Sequence, residues 1–122
     1  MIPKSFVTAL AVLAIAGCGS TAASTQAAPQ PKPSATVTVV SDPATIGAYT
    51  SATVNVKVGD TVEWVFKDLN PHTASADAGS PQAFSSNVLA GGKTYRHTFA
   101  VAGTYNYHCA IHPEMHGSVV VS

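Results

Sequence analysis

Three side chains that can bind a soft metal ion lie close together near the C-terminus. Cys109, His112 and Met115 are spaced by three residues each, between a strand-like segment that ends at Cys109 and another at 117–121. A thiolate, an imidazole and a weak thioether suit copper that cycles between Cu(II) and Cu(I), because sulfur favours the reduced ion and nitrogen is acceptable to both. The spacing therefore predicts a copper-binding loop between two strands.

A copper site of this kind needs a second imidazole, and the long irregular segment 67–84 offers one. His72 follows Pro71, whose ring fixes the backbone just ahead of the histidine. Loops of this length in small domains are usually functional or mobile. A single loop histidine is ordinarily a solvated surface residue, but the need for a further nitrogen donor favours His72 as the remote ligand.

The other three histidines are interpreted as structural or solvent-facing. If Cys109 points inward to a metal, alternation along its strand turns His108 toward solvent. His116, at the start of the last strand, should also point away. His97 lies in a strand-like segment, on its inner side or at its edge, and we expect one of its ring nitrogens to be hydrogen-bonded.

Other interpretations of Cys109 stay open. Zinc accepts Cys and His at such spacings, so His72, Cys109, His112 and His116 could form a zinc site, although Met115 would then have no role. Cys109 could also be an inert buried thiol, or it could form an intermolecular disulfide.

The patterning of the folded part is β throughout. Strand-like segments are predicted at 36–40, 52–58, 61–67, 84–90, 93–99, 105–109 and 117–121. Gly59-Asp60 favours a hairpin that joins the second of these segments to the third. In the third, Val62, Trp64 and Phe66 share one face and should lie in the core.

The N-terminal residues 1–18 predict an export signal. Lys4 precedes an apolar run, 6–16, that has the length of a signal-peptide core and is short for a bilayer span. The following Ile15-Ala16-Gly17-Cys18 resembles a bacterial lipobox, which implies that Cys18 becomes the lipidated first residue of the mature protein. We therefore expect an exported protein that is lipid-anchored to the outer face of the cytoplasmic membrane.

Residues 19–35 are rich in Ala, Pro, Ser and Thr and predict a disordered tether, because they hold almost no large apolar side chains. The folded domain is predicted to span 36–122. A plain secretory signal that is cleaved near Ala23 or Ala28 remains the alternative to lipidation. Once Cys18 is assigned to lipid, Cys109 has no partner for a disulfide, and a bound metal would account for it.

Composition limits the class of partner. The chain has 122 residues, of which 46% are hydrophobic and 10% charged, and its net charge is zero. A nucleic-acid partner would need clustered Lys and Arg, so none is expected. The predicted domain has six acidic and four basic residues, which is too small a difference to indicate the charge of a partner protein.

The pattern as a whole resembles a known family. Pro71-His72, the motif Tyr105-x-Tyr107-His108-Cys109-x-x-His112-Pro113-x-Met115 and the ending Gly117-x-Val-Val-Val are similar to the cupredoxins, or type 1 blue copper proteins, of the amicyanin- and plastocyanin-like kind. The resemblance implies a Greek-key β-sandwich with one copper ion at one end. It also implies His72, Cys109 and His112 as strong ligands, Met115 as a long axial ligand, and Tyr105 as a tyrosine corner.

The function implied is one-electron transfer by a mononuclear copper site, with redox partners that dock near His112. The surface expected around His112 is a small apolar rim of Ala110, Ile111, Pro113, Leu69 and Pro71, which suits brief encounters by a monomer. A copper carrier or buffer that delivers Cu(I) is the alternative. An enzyme is not expected, because five histidines are too few for further copper sites. Thr73 stands where many members have Asn, and this predicts a looser link between the two ligand loops.

Overall fold

The structure, a computed structural model, describes residues 30–122. The predicted export signal 1–18, with Cys18, and most of the predicted tether 19–35 lie outside the described residues. Lys32–Ser122 form one unit. No helix in the described part of the chain has the length and apolarity needed to cross a bilayer.

The regular structure of residues 30–122 consists of strands. They are β1 (Ala35–Val40), β2 (Ala48–Thr50), β3 (Thr53–Val56), β4 (Thr61–Phe66), β5 (Ser75–Ala76), β6 (Lys93–Thr98), β7 (Gly103–His108) and β8 (His116–Val121). One sheet has the order β2-β1-β4-β6 and the other the order β3-β8-β7-β5. The pairs β1–β4 and β3–β8 are parallel, and the remaining pairs are antiparallel.

The core lies between the two sheets. Val62, Trp64 and Phe66 of β4 are fully buried, as their alternation predicts, and they share one apolar cluster with Tyr105 of β7 and Val119 of β8. Burial of each such side chain contributes about 1.5–3 kcal/mol. The predicted all-β sandwich is therefore confirmed.

The predicted hairpin at Gly59-Asp60 is wrong. β3 pairs with β8 in one sheet, whereas β4 pairs with β1 and β6 in the other. The turn between β3 and β4 is closed by Asp60, whose N–H donates to Lys57 O at 2.9 Å and whose Oδ2 accepts from Lys57 N–H at 2.8 Å. The chain thus crosses between sheets at this turn, and a period of two indicates which face is buried without indicating the partner strand.

The predicted strand at 84–90 is also wrong. This segment makes two isolated bridges, Ser75 with Ser85 and His72 with Leu89, instead of a continuous ladder. Side-chain hydroxyls take backbone donors here: Ser86 Oγ accepts from Ala74 N–H at 2.9 Å. Serine competes in this way with strand pairing, and the segment instead packs as an irregular cover over residues 72–76.

Strand β7 leads directly into the predicted metal-binding loop. Tyr105, Tyr107 and Cys109 are fully buried, whereas Asn106 is exposed and His108 is partly exposed, as the alternation predicts. Tyr105 Oη donates to Val101 O at 2.6 Å. This contact to backbone four residues upstream is the tyrosine corner that the sequence predicts.

Candidate metal centre

Three of the predicted ligands converge at one point of the fold. His72 Nδ1, Cys109 Sγ and His112 Nδ1 lie within 4.8 Å of one another. The sulfur is 3.9 Å from His72 Nδ1 and 3.6 Å from His112 Nδ1, and the two nitrogens are 3.1 Å apart. Each histidine presents the same ring nitrogen, so one sulfur and two imidazole nitrogens point at a common position.

Met115, the fourth predicted ligand, is brought to the same place. Its side chain is buried, with 3% exposure. A Cβ added to Gly47 would lie 2.5 Å from His72 Cε1 and 3.2 Å from Met115 Sδ. The thioether and the His72 ring therefore lie side by side against the β1–β2 connection, and only glycine leaves room for them. Gly47 was not predicted, because its role depends on a contact between distant segments.

The loop from Cys109 to Met115 is closed at its base by the backbone. Cys109 N–H donates to Met115 O at 3.1 Å, and Met115 N–H donates to His112 O at 2.9 Å. These two bonds turn the chain back on itself within seven residues. The strands β7 and β8 that flank the loop pair as far as His108 and His116, so the loop is held at the end of a rigid ribbon.

His72 is held from behind by a carboxylate. Its Nε2 lies 2.7 Å from Asp68 Oδ2, and both side chains are buried. The hydrogen bond to His72 holds the pKa of Asp68 below its usual value. A ring that donates from Nε2 to a carboxylate keeps its Nδ1 lone pair free, so Asp68 sets the tautomer that metal binding requires. In the sequence, the only sign that Asp68 orients His72 is that an acidic residue stands four positions before the histidine.

Two backbone hydrogen bonds fix the position of His72 in its loop. Its N–H donates to Leu89 O at 3.0 Å, and Leu89 N–H donates to His72 O at 2.9 Å. The ring is fully buried. The remote ligand is thus positioned by the segment that the sequence had assigned to a strand.

Thr73 links the two ligand loops through both its backbone and its hydroxyl. Its N–H donates to Cys109 Sγ at 3.4 Å, and its Oγ1 accepts from Ala110 N–H at 2.8 Å. Oγ1 also lies 3.0 Å from Ser75 Oγ. The hydroxyl therefore makes one bond between the two loops, and the backbone N–H of the same residue adds a second bond, to the sulfur.

Tyr49 of β2 supports the same region and was not predicted. Its hydroxyl donates to Thr73 O, and its ring packs edge-on against Tyr107 with centroids 4.7 Å apart. Burial, followed by the proximity of Cys109 and Tyr107, raises the pKa of the Tyr49 hydroxyl. Tyr49 therefore stays neutral and serves as a donor that anchors the backbone beside His72.

The remaining histidines lie outside this cluster. His116 is exposed and pairs across the ladder with His108, so it does not join the other three residues of the hypothetical zinc site. His97 of β6 is half-buried between the rings of Phe84 and Phe99, at centroid distances of 5.0 and 4.7 Å. Contrary to expectation, His97 Nε2 has no hydrogen-bond partner among residues 30–122.

The donor set fits copper better than zinc. Structural zinc sites are closed by four Cys or His ligands, whereas the cluster within residues 30–122 has three, beside the thioether of Met115. A thiolate, two imidazoles and a thioether form the set that suits both oxidation states of copper. The N–H of Thr73 is directed at Cys109 Sγ and helps to hold the sulfur in place.

An apolar surface surrounds the one ligand that is not fully buried. His112 has intermediate exposure, and its neighbours Ala110, Ile111 and Pro113 are exposed. Leu69 is 87% exposed, and Pro71 is also exposed. These five residues are the apolar rim that the sequence predicts. The structure adds Ile46, a further exposed apolar residue, which lies next to Gly47 in the β1–β2 connection.

Known proteins are similar to this chain in sequence and in fold. The model of the family of copper binding proteins of the plastocyanin/azurin type matches residues 35–122. Amicyanin from Paracoccus denitrificans is 41% identical over 75 residues, which are 60% of this chain and 57% of that protein. Amicyanin from Paracoccus versutus is 32% identical over 121 residues, 94% of this chain and 92% of that protein.

A solved structure supports the same assignment. The Cu(I) form of a methionine variant of amicyanin is 35% identical to this chain and superposes with a TM-score of 0.60, over 71% of this chain and 82% of that one. The first of the two relatives is matched over little more than half of its length, and the second over nearly all of it. The chain therefore belongs to the copper-binding plastocyanin/azurin family, the cupredoxins.

Proposed function

We propose that this chain transfers single electrons between partner proteins outside the cytoplasm, by means of one type 1 copper ion. His72, Cys109 and His112 would hold the ion, with Met115 as a weak axial ligand. The convergence of one sulfur and two imidazole Nδ1 atoms within 4.8 Å carries the proposal. Membership of the family supports it, since these copper proteins carry electrons and are not enzymes.

Bound copper supplies a one-electron Cu(II)/Cu(I) couple at this position. The protein holds the side chains that bind the ion in fixed positions. Asp68 and the Leu89 backbone fix His72, and the N–H of Thr73 is directed at Cys109 Sγ. Because these contacts are made by buried groups, the same ligand positions are available to both oxidation states, and little rearrangement accompanies each electron.

The partially exposed ring of His112 is the natural contact for a redox partner. Its sequence neighbour Ile111 is exposed, as are Leu69 in the loop that carries His72 and Ile46 next to Gly47. Apolar side chains of this kind associate with a partner without the need for a charged group. Small interfaces let redox partners separate quickly. We therefore propose that donor and acceptor proteins dock on this rim, one at a time, with the protein acting as a monomer.

We also propose that the protein is exported and anchored by lipid on Cys18. The support is the sequence Ile15-Ala16-Gly17-Cys18 after an apolar run, together with the Ala-, Pro-, Ser- and Thr-rich segment 19–35, which would keep the copper domain away from the membrane. Metabolic labelling with a fatty-acid analogue tests this: the label and membrane retention should be lost in Cys18→Ser. An unlabelled mature protein that begins after Ala23 or Ala28 would contradict the anchor.

Addition of Cu(II) to the purified full-length protein tests the electron-transfer function. A thiolate ligand to Cu(II) should give an intense blue absorption that a mild reductant removes and an oxidant restores. Cys109→Ser should lose the band, because the sulfur that gives rise to it is gone. Cys18→Ser removes the other cysteine and is the matched control, which should keep the colour.

Two results would contradict this proposal. If Cys109→Ser retained metal uptake and spectrum, the site would not depend on the sulfur. If the wild-type protein bound Cu(I) tightly but gave no blue form with Cu(II), the site would be a store that delivers Cu(I), which is the carrier function.

A further inference from the structure

We propose that the outer face of the β3-β8-β7-β5 sheet carries a second, weaker site for a divalent transition-metal ion, formed by His108 and His116. Neither residue belongs to the centre described above. Zn²⁺, Ni²⁺ and Cu²⁺ are the ions that such a pair of imidazoles takes, and water would complete the coordination.

The register of the sheet places the two residues opposite each other. His108 ends β7 and His116 begins β8, and the two residues are directly opposite each other in the antiparallel ladder. Side chains at opposed positions have Cβ atoms about 4.5–5.5 Å apart and point to the same side of the sheet. The inward neighbours Cys109 and Met115 are buried, so His108 and His116 both point outward.

Asp77 selects the form of His108 that binds metal. Its Oδ1 lies 2.5 Å from His108 Nδ1, and its N–H donates to Asn106 O at 2.8 Å, which fixes the carboxylate beside β7. With Nδ1–H donating to the carboxylate, Nε2 keeps its lone pair and faces away from Asp77. Histidine ligands of metals typically have a carboxylate in this position, which orients the ring and raises its basicity.

The surroundings leave room for an ion and do not repel it. A cleft of about 370 Å³ lies on this face and is lined by Asp77, Asn106, His116 and Ser118, with Gly117 and the Ala52–Thr53 segment. None of these lining residues is Lys or Arg. Ser118 Oγ donates to Asn106 Oδ1 at 2.7 Å, so these two polar groups are already paired with each other. His116 is exposed.

The site differs in chemistry from the copper centre. It has no sulfur ligand and is open to water, since the side chains of His108 and Asp77 are 33% and 39% exposed. A borderline divalent ion would therefore bind here without displacing copper from the buried thiolate site. The proposal concerns only ring nitrogens on the surface and does not depend on electron transfer.

Zinc titration of the full-length protein, loaded with Cu(I), tests the site. Cu(I) and Zn²⁺ are both diamagnetic, so NMR can follow the imidazole ring signals throughout the titration. We expect one further equivalent of Zn²⁺ to shift the ring signals of His108 and His116 and to leave that of His97 unmoved. Isothermal titration calorimetry measures the affinity on the same sample.

Two variants separate the ligand from the positioning residue. His116→Gln should lose the second equivalent, and Asp77→Ala should weaken it about 10–100-fold, because His108 would no longer be oriented. Glu114→Ala, at an exposed acidic residue of the neighbouring loop, is the matched control and should bind as wild type. A normal blue absorption in each variant shows that the fold is intact.

Unmoved ring signals in the wild-type protein would overturn the proposal, as would a second equivalent that persists in His116→Gln. Equal affinity in Asp77→Ala and wild type would overturn the positioning role of the carboxylate, because the His108–Asp77 contact would then serve only to attach β5 to β7.

Discussion

The two histidines of the candidate metal centre lie in contrasting environments. His72 is fully buried, donates to the buried carboxylate of Asp68 and is held by two backbone bonds to Leu89. His112 has intermediate exposure, lies in the short Cys109–Met115 loop and is surrounded by exposed apolar side chains. One ligand is thus positioned by the folded sandwich and the other by a surface loop. A centre of this kind can stay rigid inside while a partner approaches from one side.

Removal of each imidazole in turn should have the largest effect on copper binding. It also distinguishes the buried environment of His72 from the exposed environment of His112. His72→Gly and His112→Gly should both lose the blue absorption. Added imidazole should restore it in His112→Gly, because the vacated position opens to solvent, and should fail to do so in His72→Gly. Loss of a buried ring should also lower the free energy of unfolding by about 3–5 kcal/mol in His72→Gly, and by much less in His112→Gly.

Absorption titration with imidazole and denaturant unfolding provide the two measurements. Equal recovery in both variants would show that the environments are not distinct, as would equal losses of stability.

Asp68→Asn tests the carboxylate behind the buried histidine. The change keeps the shape and removes the charge, so we expect copper affinity to fall by about 10–100-fold. The reduction potential should rise, because a nearby negative charge favours the more positive oxidation state. Competition with a chelator measures the affinity, and voltammetry measures the potential.

Asp42, which is partly exposed and accepts from Ala44 N–H at 2.8 Å, provides the control. Asp42→Asn should leave both quantities unchanged. If Asp68→Asn behaved like this control, His72 would be oriented by its backbone bonds alone.

Thr73→Val tests the link between the buried loop and the exposed loop. Valine keeps the volume but removes the hydroxyl, and Ala110 N–H then loses its acceptor in a part-buried site. A donor left without a partner costs about 1–3 kcal/mol, and denaturant unfolding measures it. Ser75→Ala removes the hydroxyl contacts to Thr73 and Ser85 but leaves the bond from Ala110 N–H to Thr73 Oγ1 in place, so it should cost less. A larger loss of stability in Ser75→Ala would show that the bond from Ala110 to Thr73 is not the main link between the loops.

Thr73→Asn introduces the residue that many cupredoxins have at this position. An amide can donate as well as accept, so we predict a tighter link and a shift in reduction potential and absorption band. An unmoved potential and band would show that the two bonds of Thr73, to Cys109 Sγ and from Ala110 N–H, already hold the loops as firmly.

The sequence predicted those parts of the centre that depend on residue type and local spacing. Cys109, His112 and Met115 share one loop, and alternation along β7 predicts which side chains are buried. His72 was predicted because the chemistry lacked a nitrogen donor, and the structure brings its Nδ1 close to Cys109 Sγ and His112 Nδ1. Asp68 gave only a faint signal, and Gly47 and Tyr49 gave none, because a glycine and a tyrosine acquire these roles only where separate loops meet.

The errors in the predicted fold have a common cause. The sequence predicts β structure around β3 and β4, and the structure confirms it. Period-two alternation carries no information on which strands pair, and the turn at Gly59-Asp60 alone suggested a hairpin. Segment 84–90 was assigned to a strand from its residue types, whereas the hydroxyl of Ser86 takes a backbone donor. Which strands pair, and whether a serine hydroxyl replaces a backbone acceptor, depends on residues that are distant in the sequence.

The smallest effect that we predict concerns His97, which is half-buried and packs on two aromatic rings of the core. Burial lowers the pKa of His97 below its usual value, and the ring lies between Phe84 and Phe99. The unfolded chain binds a proton near pH 6.5, but the folded chain binds it only at lower pH. Stability should therefore be complete above the unfolded pKa, fall as the pH drops below about 6.5, and level off below the folded pKa.

His97→Phe should remove this contribution, because phenylalanine keeps the ring packing and cannot bind a proton. Urea unfolding of the copper-loaded protein from about pH 5 to pH 8 should show a smaller loss of stability at low pH in the variant than in wild type. All other side chains are the same in both proteins, so the difference between the two curves isolates His97. Parallel curves would mean that water reaches the ring and that its burial does not disfavour the charged form.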